Sequence, residues 1–401
     1  MPETVIVAAG RSPIGRANKG SLVGLRSDDL MATVVQSVLD QLPQLPSADI
    51  EDLIVGCAQP AGEQGYNLAR NVSLLSGLPE VPGVTVNRYC ASSLQAIRMA
   101  HHAIQAGEAN AYIAAGVETV SRFHHGIADT GPHNPLVADA QRRTEERASG
   151  GHGTWTPAIG LPDLYISMGQ TAENVGEFTG VSRQQMDEFA VMSHQKALAA
   201  QDAGLFTNEI VPVKAIDGTF VAADDGPRRG TTTDVLAELR PAFRPDGAVT
   251  AGNSCPLNDG AAATVIMSST RAAELQIRPR ARVIASAVSA LDPEIMGLGP
   301  VRATEKVLAA TGMTIKDIDL VEINEAFAAQ VIPSAEKLGV DWDKLNVHGG
   351  AIALGHPFGA TGARLVTTMV NALETRDQTL GLVTLCVGGG QGMAMLIERL
   401  S

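Results

Sequence analysis

The stretch "VTVNRYCASSLQAI" (Val84–Ile97) decides how the chain is read. Val84, Val86 and the apolar positions before Cys90 suit a buried strand. After the cysteine, Leu94, Ile97 and Ile104 recur at helical spacing, with Ala91, Ala96 and Ala100 between them. Ser92 and Ser93 are first-turn residues rather than mid-helix ones. Cys90 therefore falls at a strand-to-helix junction, beside the positive end of a helix dipole, where a thiol is easier to ionise. The competing reading makes Cys90 a small buried hydrophobe.

Working outward, strand-like runs alternate with amphipathic helical stretches. "TVIVAAG" (4–10), "DLIVGCAQ" (52–59), "GVTVN" (83–87) and "AYIAAGVE" (111–118) are strand candidates, with helices expected over 27–42 and 93–107. "RVIASAVSA" (282–290), "DIDLVEINEA" (317–326), "NVHGGAIALG" (346–355) and "LGLVTLCVGGG" (380–390) repeat the rhythm. The segment 49–59 resembles 315–326 in its acidic lead-in and apolar core, and 112–118 resembles 383–389. These matches predict an internal duplication. From about Ser121 to Thr250 the chain is polar and irregular, apart from one good helix opened by a Ser182 cap. So long a segment between two compact halves reads as a functional insertion. The strand-like style returns at 249–267, as a last piece of the first half.

The 401 residues point to two or three domains, and 45% hydrophobic against 18% charged residues supports a large core. A net charge of −13 argues against a nucleic-acid surface. Cys57, Cys90, Cys255 and Cys386 are too scattered for a disulfide framework and form no CxxC zinc pattern, which suits a reducing cytosol. The start of the sequence lacks a signal-peptide pattern, and no apolar run is long enough to span a membrane. These features together predict a soluble cytoplasmic protein.

Three more polar clusters fall where strands run into turns, the usual place for sites in α/β sheets. Asn324 and Glu325 end an apolar strand, His356 lies in a glycine-rich turn before a helix, and Cys386 ends a strand before three glycines. Singly, each has a structural alternative: a helix cap, a satisfied core histidine, a tight turn. Competing motifs fail. "GHPFGATGAR" lacks the lysine of a P-loop, the glycine clusters do not make a dinucleotide fingerprint, and no Gly-x-Ser-x-Gly occurs. The pairs His101–His102 and His124–His125 lack helical metal-ligand spacing, so no metal is expected. Bringing a thiol from a pKa of about 8.5 to about 7 takes roughly 2 kcal/mol, against about 0.3–1 kcal/mol from a helix terminus. Cys90 therefore needs a base, and His356 is the candidate.

At this point the sequence resembles the thiolase family. "VNRYCASSLQAI", "VTAGNSCPLNDGAAA", "NEAFAAQ", "GGAIALGHPFGATGAR" and "CVGGGQG" resemble its signature blocks in order and spacing, and "SMGQTAENV" with "RRGTTTDVLAELRPAF" resemble its insertion. The resemblance covers the whole chain. It implies an α/β thiolase fold: two duplicated βα halves in a five-layer αβαβα arrangement with an inserted loop domain over coenzyme A. The expected regions are 1–121 plus 251–275, the loop domain 122–250, and 276–401. The resemblance also implies roles. Cys90 would take up the acyl group, and His356 would accept its proton and then help hold the thioester oxygen. Asn324 would position a water there, while Cys386 would move the proton at the substrate α-carbon. The N–H groups of Cys90 and Gly388 would form a second oxyanion hole. Arg228 and Arg229 are implied at the nucleotide end of CoA, with Ser254 and Met168 at the pantetheine.

No permanently bound cofactor is implied; coenzyme A and acyl-CoA are substrates. A homodimer or homotetramer is expected, with other β-oxidation enzymes as further partners. The implied reaction is reversible thiolytic cleavage of 3-ketoacyl-CoA. The alternatives are condensation of two acetyl-CoA to acetoacetyl-CoA, a non-catalytic acyl-CoA binder, and a decarboxylating ketosynthase, whose second histidine position is Asn324 here. Three departures lean toward a degradative enzyme with a broader acyl pocket. Ser167 stands where biosynthetic members commonly carry a histidine, Ala91-Ser92-Ser93 follows the nucleophile, and Cys255-Pro256 replaces a pantetheine-contacting serine.

Overall fold

The computed structural model describes residues 3–123, 131–151 and 153–400. The His124–His125 pair lies outside them. Among the described residues a ten-stranded mixed sheet carries the fold. Its order runs Leu320–Ile323, Leu380–Val387, Gln391–Arg399, Ala281–Ala290, Thr4–Arg11, Asn258–Ser268, Ala111–Thr119, Ile50–Gly56, Gly83–Val86, with Gly15–Arg16 paired to Asn258–Ser268.

The duplication is visible in that order. Ile50–Gly56 runs parallel to Ala111–Thr119, which is antiparallel to Asn258–Ser268, which is antiparallel to Thr4–Arg11. Leu320–Ile323 runs parallel to Leu380–Val387, followed by antiparallel Gln391–Arg399 and Ala281–Ala290. Both first strands follow a short 3-10 turn, Ser47–Asp49 and Ile315–Asp317. The halves join through two residue pairs, Val5 with Arg282 and Ile6 with Ala281.

Helices Ser27–Leu39 and Leu68–Leu75 cover the outer face of the first half, where Val34, Val35 and Val72 pack on Leu53, Val55 and Val265. Gly299–Thr311 and Ala328–Leu338 cover the outer face of the second, with Val307 and Val331 against Val321 and Leu396. Between the halves lie Ser92–Ala106 and Thr361–Thr375. Their Leu94, Ile97, Leu365 and Met369 fill one buried cluster with Ile266, Val383 and Met395. Helix, sheet, helix, sheet, helix gives the five layers expected. Each buried aliphatic side chain contributes about 1.5–3 kcal/mol, so this central layer ties the halves together strongly.

The segment between Ala111–Thr119 and Asn258–Ser268 supplies helices Ala138–Ala148, Met168–Thr179 and Arg183–Asp202. Ser182 caps the last of these in a capping box with Gln185, as its sequence predicts. Three strand expectations need correction. The strand before Cys90 ends at Val86 and is an edge strand with only half-buried residues. The segment 346–355 is a loop with a single helical turn, Ala351–Leu354, because Asn346, Gly349 and Gly355 take positive φ that no strand accommodates. Gln391–Arg399, which the sequence reading omits, is a full strand. Among the described residues no helix is long and apolar enough to cross a membrane.

Candidate active site

The two central helices bring the site together, because each begins beside a chemically active residue. Cys90 sits in the 3-10 turn Tyr89–Ala91 just before Ser92–Ala106, and His356 lies five residues ahead of Thr361–Thr375. The helix starts are locked to each other: the Ala363 N–H donates to Ser93 Oγ at 2.9 Å. Tyr89 takes φ 44°, a left-handed conformation that is costly for a bulky side chain and helps aim the residue after it.

Burial pushes the Cys90 thiol up to about 12, with a smaller contribution from the charge of Glu118. This corrects the expectation of an easily ionised thiol: desolvation outweighs the helix terminus. The backbone N–H groups of Gly388 and of Cys90 itself oppose that rise, so two donors converge on the sulfur. At rest Cys90 is a protonated thiol, which ionises only if a base takes its proton.

His356 can take it. The ring is almost fully buried, and burial, with the charge of Arg364, lowers it to about 3, so it is neutral at any physiological pH. Thr361 Oγ1 lies 2.7 Å from Nδ1 and 2.8 Å from the Pro357 carbonyl. The carbonyl only accepts, so the single hydroxyl proton goes to Pro357 and the hydroxyl accepts from Nδ1–H. Nε2 then carries the lone pair that can take a proton. Asn324 Nδ2 is 3.4 Å from Nε2, and its Oδ1 is buried without a protein partner. The His356 N–H donates to Asn258 Oδ1 at 2.9 Å, which fixes the loop on the first half.

Cys386 is the second-last residue of Leu380–Val387 and is fully buried. Its thiol is raised well above the ordinary value, first by burial and then by the nearby sulfurs of Cys90 and Cys255. Cys255 donates its backbone N–H to the carbonyl of Ala326, two residues beyond Asn324, at 3.0 Å. Two residues of this site escaped the sequence reading. Thr361 sets the imidazole tautomer, and only its five-residue offset from His356 hinted at it. Glu118 is buried and accepts from the N–H groups of Ala58, Gln59 and Gly359 and from Gln64 Nε2, thereby clamping the loop that carries His356.

The residues implied for coenzyme A are spread along the insertion. Arg228 is exposed near Arg16, its side chain pairs with no carboxylate among the described residues, and its N–H donates to His194 Nδ1. Arg229 is exposed and paired with Asp202. Ser254 is buried with its hydroxyl donating to Thr250 O at 2.7 Å, and Met168 opens the helix Met168–Thr179. Among the described residues no group of three His, Cys, Asp or Glu side chains could hold a metal.

A duplicated five-layer α/β fold with a cysteine and a histidine at the starts of its two central helices defines the class. The chain matches the thiolase N-terminal domain over residues 4–270 and the thiolase C-terminal domain over residues 277–399. It belongs to the thiolase family. It is 43% identical to a 3-ketoacyl-CoA thiolase of Bacillus subtilis (strain 168), over 99% of this chain and all of that one. It is 45% identical to a 3-ketoacyl-CoA thiolase of Aeromonas hydrophila, over the full length of both. A solved Bacillus anthracis acetyl-CoA acetyltransferase superposes with a TM-score of 0.87 at 36% identity, covering 100% of this chain and 99% of that one. The chain is accordingly an acyltransferase with thiolase function.

Proposed function

We propose that the protein cleaves 3-ketoacyl-CoA with coenzyme A, giving acetyl-CoA and a shortened acyl-CoA through an acyl-Cys90 intermediate. The observation that carries this reading is the convergence of Cys90, His356, Asn324 and Cys386 at neighbouring strand and helix ends. His356 Nε2 takes the Cys90 proton, and the thiolate adds to the C3 ketone. The C2–C3 bond then breaks, leaving an acyl thioester on Cys90 and the enolate of acetyl-CoA. Cys386 protonates C2. Incoming CoA gives its thiol proton to the Cys386 thiolate and attacks the acyl-Cys90 carbonyl, and Cys90 leaves as a thiolate that takes its proton back from His356.

The enolate oxygen is held by His356 and a water on Asn324, and the tetrahedral oxyanion by the N–H groups of Cys90 and Gly388. Arg228 suits a CoA phosphate because it is an exposed cation with no carboxylate partner among the described residues and a second arginine near it. Arg229, Ser254 and Met168 complete the CoA contacts in this reading. The regions 1–121 with 251–275, 122–250 and 276–401 are its two halves and loop domain. A homodimer or homotetramer belongs to the reading as well. Support comes from the open edge strand Gly83–Val86 and from Tyr66 and Leu74, which are 92% and 50% exposed.

The test is CoA-dependent cleavage of acetoacetyl-CoA and of a medium-chain 3-ketoacyl-CoA, with Cys90→Ser as the blank. Preference for the longer substrate is the expected outcome. Condensation of two acetyl-CoA is the alternative, which the relatives at 43–45% identity do not favour; strong preference for acetoacetyl-CoA would support it. Cleavage that survives Cys90→Ser would overturn the mechanism.

A further inference from the structure

Behind the site lies a buried pair that the mechanism above does not use. The side chains of Glu322 and Arg364 are 2% and 1% exposed, yet their closest approach is 3.6 Å. That is too long for a hydrogen bond. Both Glu322 carboxylate oxygens and all three Arg364 guanidinium nitrogens are buried without a protein partner.

The surrounding charged groups are different. Glu209 accepts from Arg11, Thr368 and Asn371, and Glu325 accepts from Ser193, Asn346 and the Ile352 N–H. Lys196 Nζ donates to the carbonyls of Trp342 and Leu345. Of these charged groups, Glu322 and Arg364 alone are left without bonds among the described residues. A dry, unpartnered ion pair costs more in desolvation than its attraction returns, whereas water fits a polar gap of this length.

The pair also sits where it can steer the site. Glu322 is two residues before Asn324, on the strand Leu320–Ile323. Arg364 is one helical turn beyond Thr361, the partner of His356 Nδ1. The charge of Arg364 reaches the imidazole and disfavours its protonated form.

We propose that Glu322 and Arg364 enclose a built-in water site, and that this hydrated pair is the positioning device holding Asn324 and His356 in register. Its role in catalysis rests on the thiolase mechanism above. Titration of Glu322 supports it: burial pushes the carboxyl up to about 8, with Glu325 and Glu209 adding to the rise and Arg364 and Lys196 opposing it. Glu322 thus gains its charge within the working pH range, and the water-mediated hold on Arg364 changes there.

Two experiments decide this. A high-resolution crystal structure of the unaltered protein should show ordered water bonded to both side chains. A dry gap or a direct ion pair would overturn the water site. The second experiment compares Glu322→Gln with the parent in CoA-dependent acetoacetyl-CoA cleavage between pH 6 and pH 9, normalised to the fraction of Cys90 that acylates. The expected result is a roughly tenfold fall in kcat with KM for CoA within about twofold, and loss of the pH inflection near 8. A purely structural role would lower the acylating fraction and leave the inflection in place, which would overturn the positioning role. Arg364→Lys keeps the charge and loses the planar fork; if Glu322→Gln does not fold, it should give the same fall in kcat at unchanged KM with the inflection retained, and an unchanged kcat would overturn the positioning role. Should the parent itself lack thiolysis, the mechanism fails first, while the crystal structure still decides the hydration.

Discussion

At the level of single side chains, the positions of the candidate groups at element ends were legible from the sequence. Cys90, Asn324, His356 and Cys386 each stand next to a strand or helix end that the apolar periodicity marks. What periodicity does not carry is the partner of each group. Thr361 and Glu118 gain their roles through contacts across the fold, so nothing local announces them. Thr361→Val removes the acceptor for Nδ1–H and frees the other tautomer; kcat should fall about tenfold or more, at a stability cost near 1 kcal/mol. Steady-state kinetics beside a thermal melt separates the two. Cys386→Ala should still acylate Cys90 while losing exchange of acetyl-CoA methyl protons with deuterated solvent. Retained exchange would assign the α-proton to another group. The ionisation of Cys90 was misjudged because a helix terminus is visible in a sequence and depth of burial is not.

Among the elements, strands flanked by clear turns were placed well, while the glycine-rich loops were not. The segment 346–355 has the apolar content of a strand, and only its positive-φ positions rule one out. Gly355 is the sharpest of them, at φ 117°, and a Cβ there would come within 2.6 Å of Ile14 and 2.7 Å of Asn258. Asn258 is the residue that anchors the His356 N–H. Gly355→Ala should therefore cost about 1–3 kcal/mol and lower turnover as well. Gly312→Ala is the control: it has φ 68° at a helix end, and a Cβ there meets nothing within 4 Å. It should carry the left-handed penalty alone, about 1–2 kcal/mol, and leave kcat unchanged. Equal loss of activity in both would mean that the His356 loop is not the sensitive element.

For the molecule as a whole, the duplication was readable as paired segments, and the structure shows the same strand order in both halves. The joining of the two sheets was not readable, because two residue pairs leave no pattern in a sequence. Buried histidines give the whole molecule a pH signature. Burial lowers His194 to about 4, so the native ring stays neutral where an unfolded one, titrating near 6.5, gains a proton. Its contribution is complete above about pH 6.5 and is lost as the pH falls toward 4, at up to about 1.4 kcal/mol per pH unit. His194→Asn keeps an acceptor for the Arg228 N–H and cannot titrate. Melting temperature should then depend less on pH over that window than in the parent, and identical slopes would refute the assignment. The pairing of Thr4–Arg11 with Asn258–Ser268 also sets a timetable for biosynthesis. About 250 residues separate the two strands, so at roughly 5–20 residues per second the ribosome needs on the order of 13–50 seconds to deliver the second after the first. For roughly the last 140 residues of that interval, on the order of 7–28 seconds, the nascent first half holds Ala111–Thr119 with one edge uncovered. Its folding is closed from the far end of the insertion, which makes this window the natural point for a chaperone to engage.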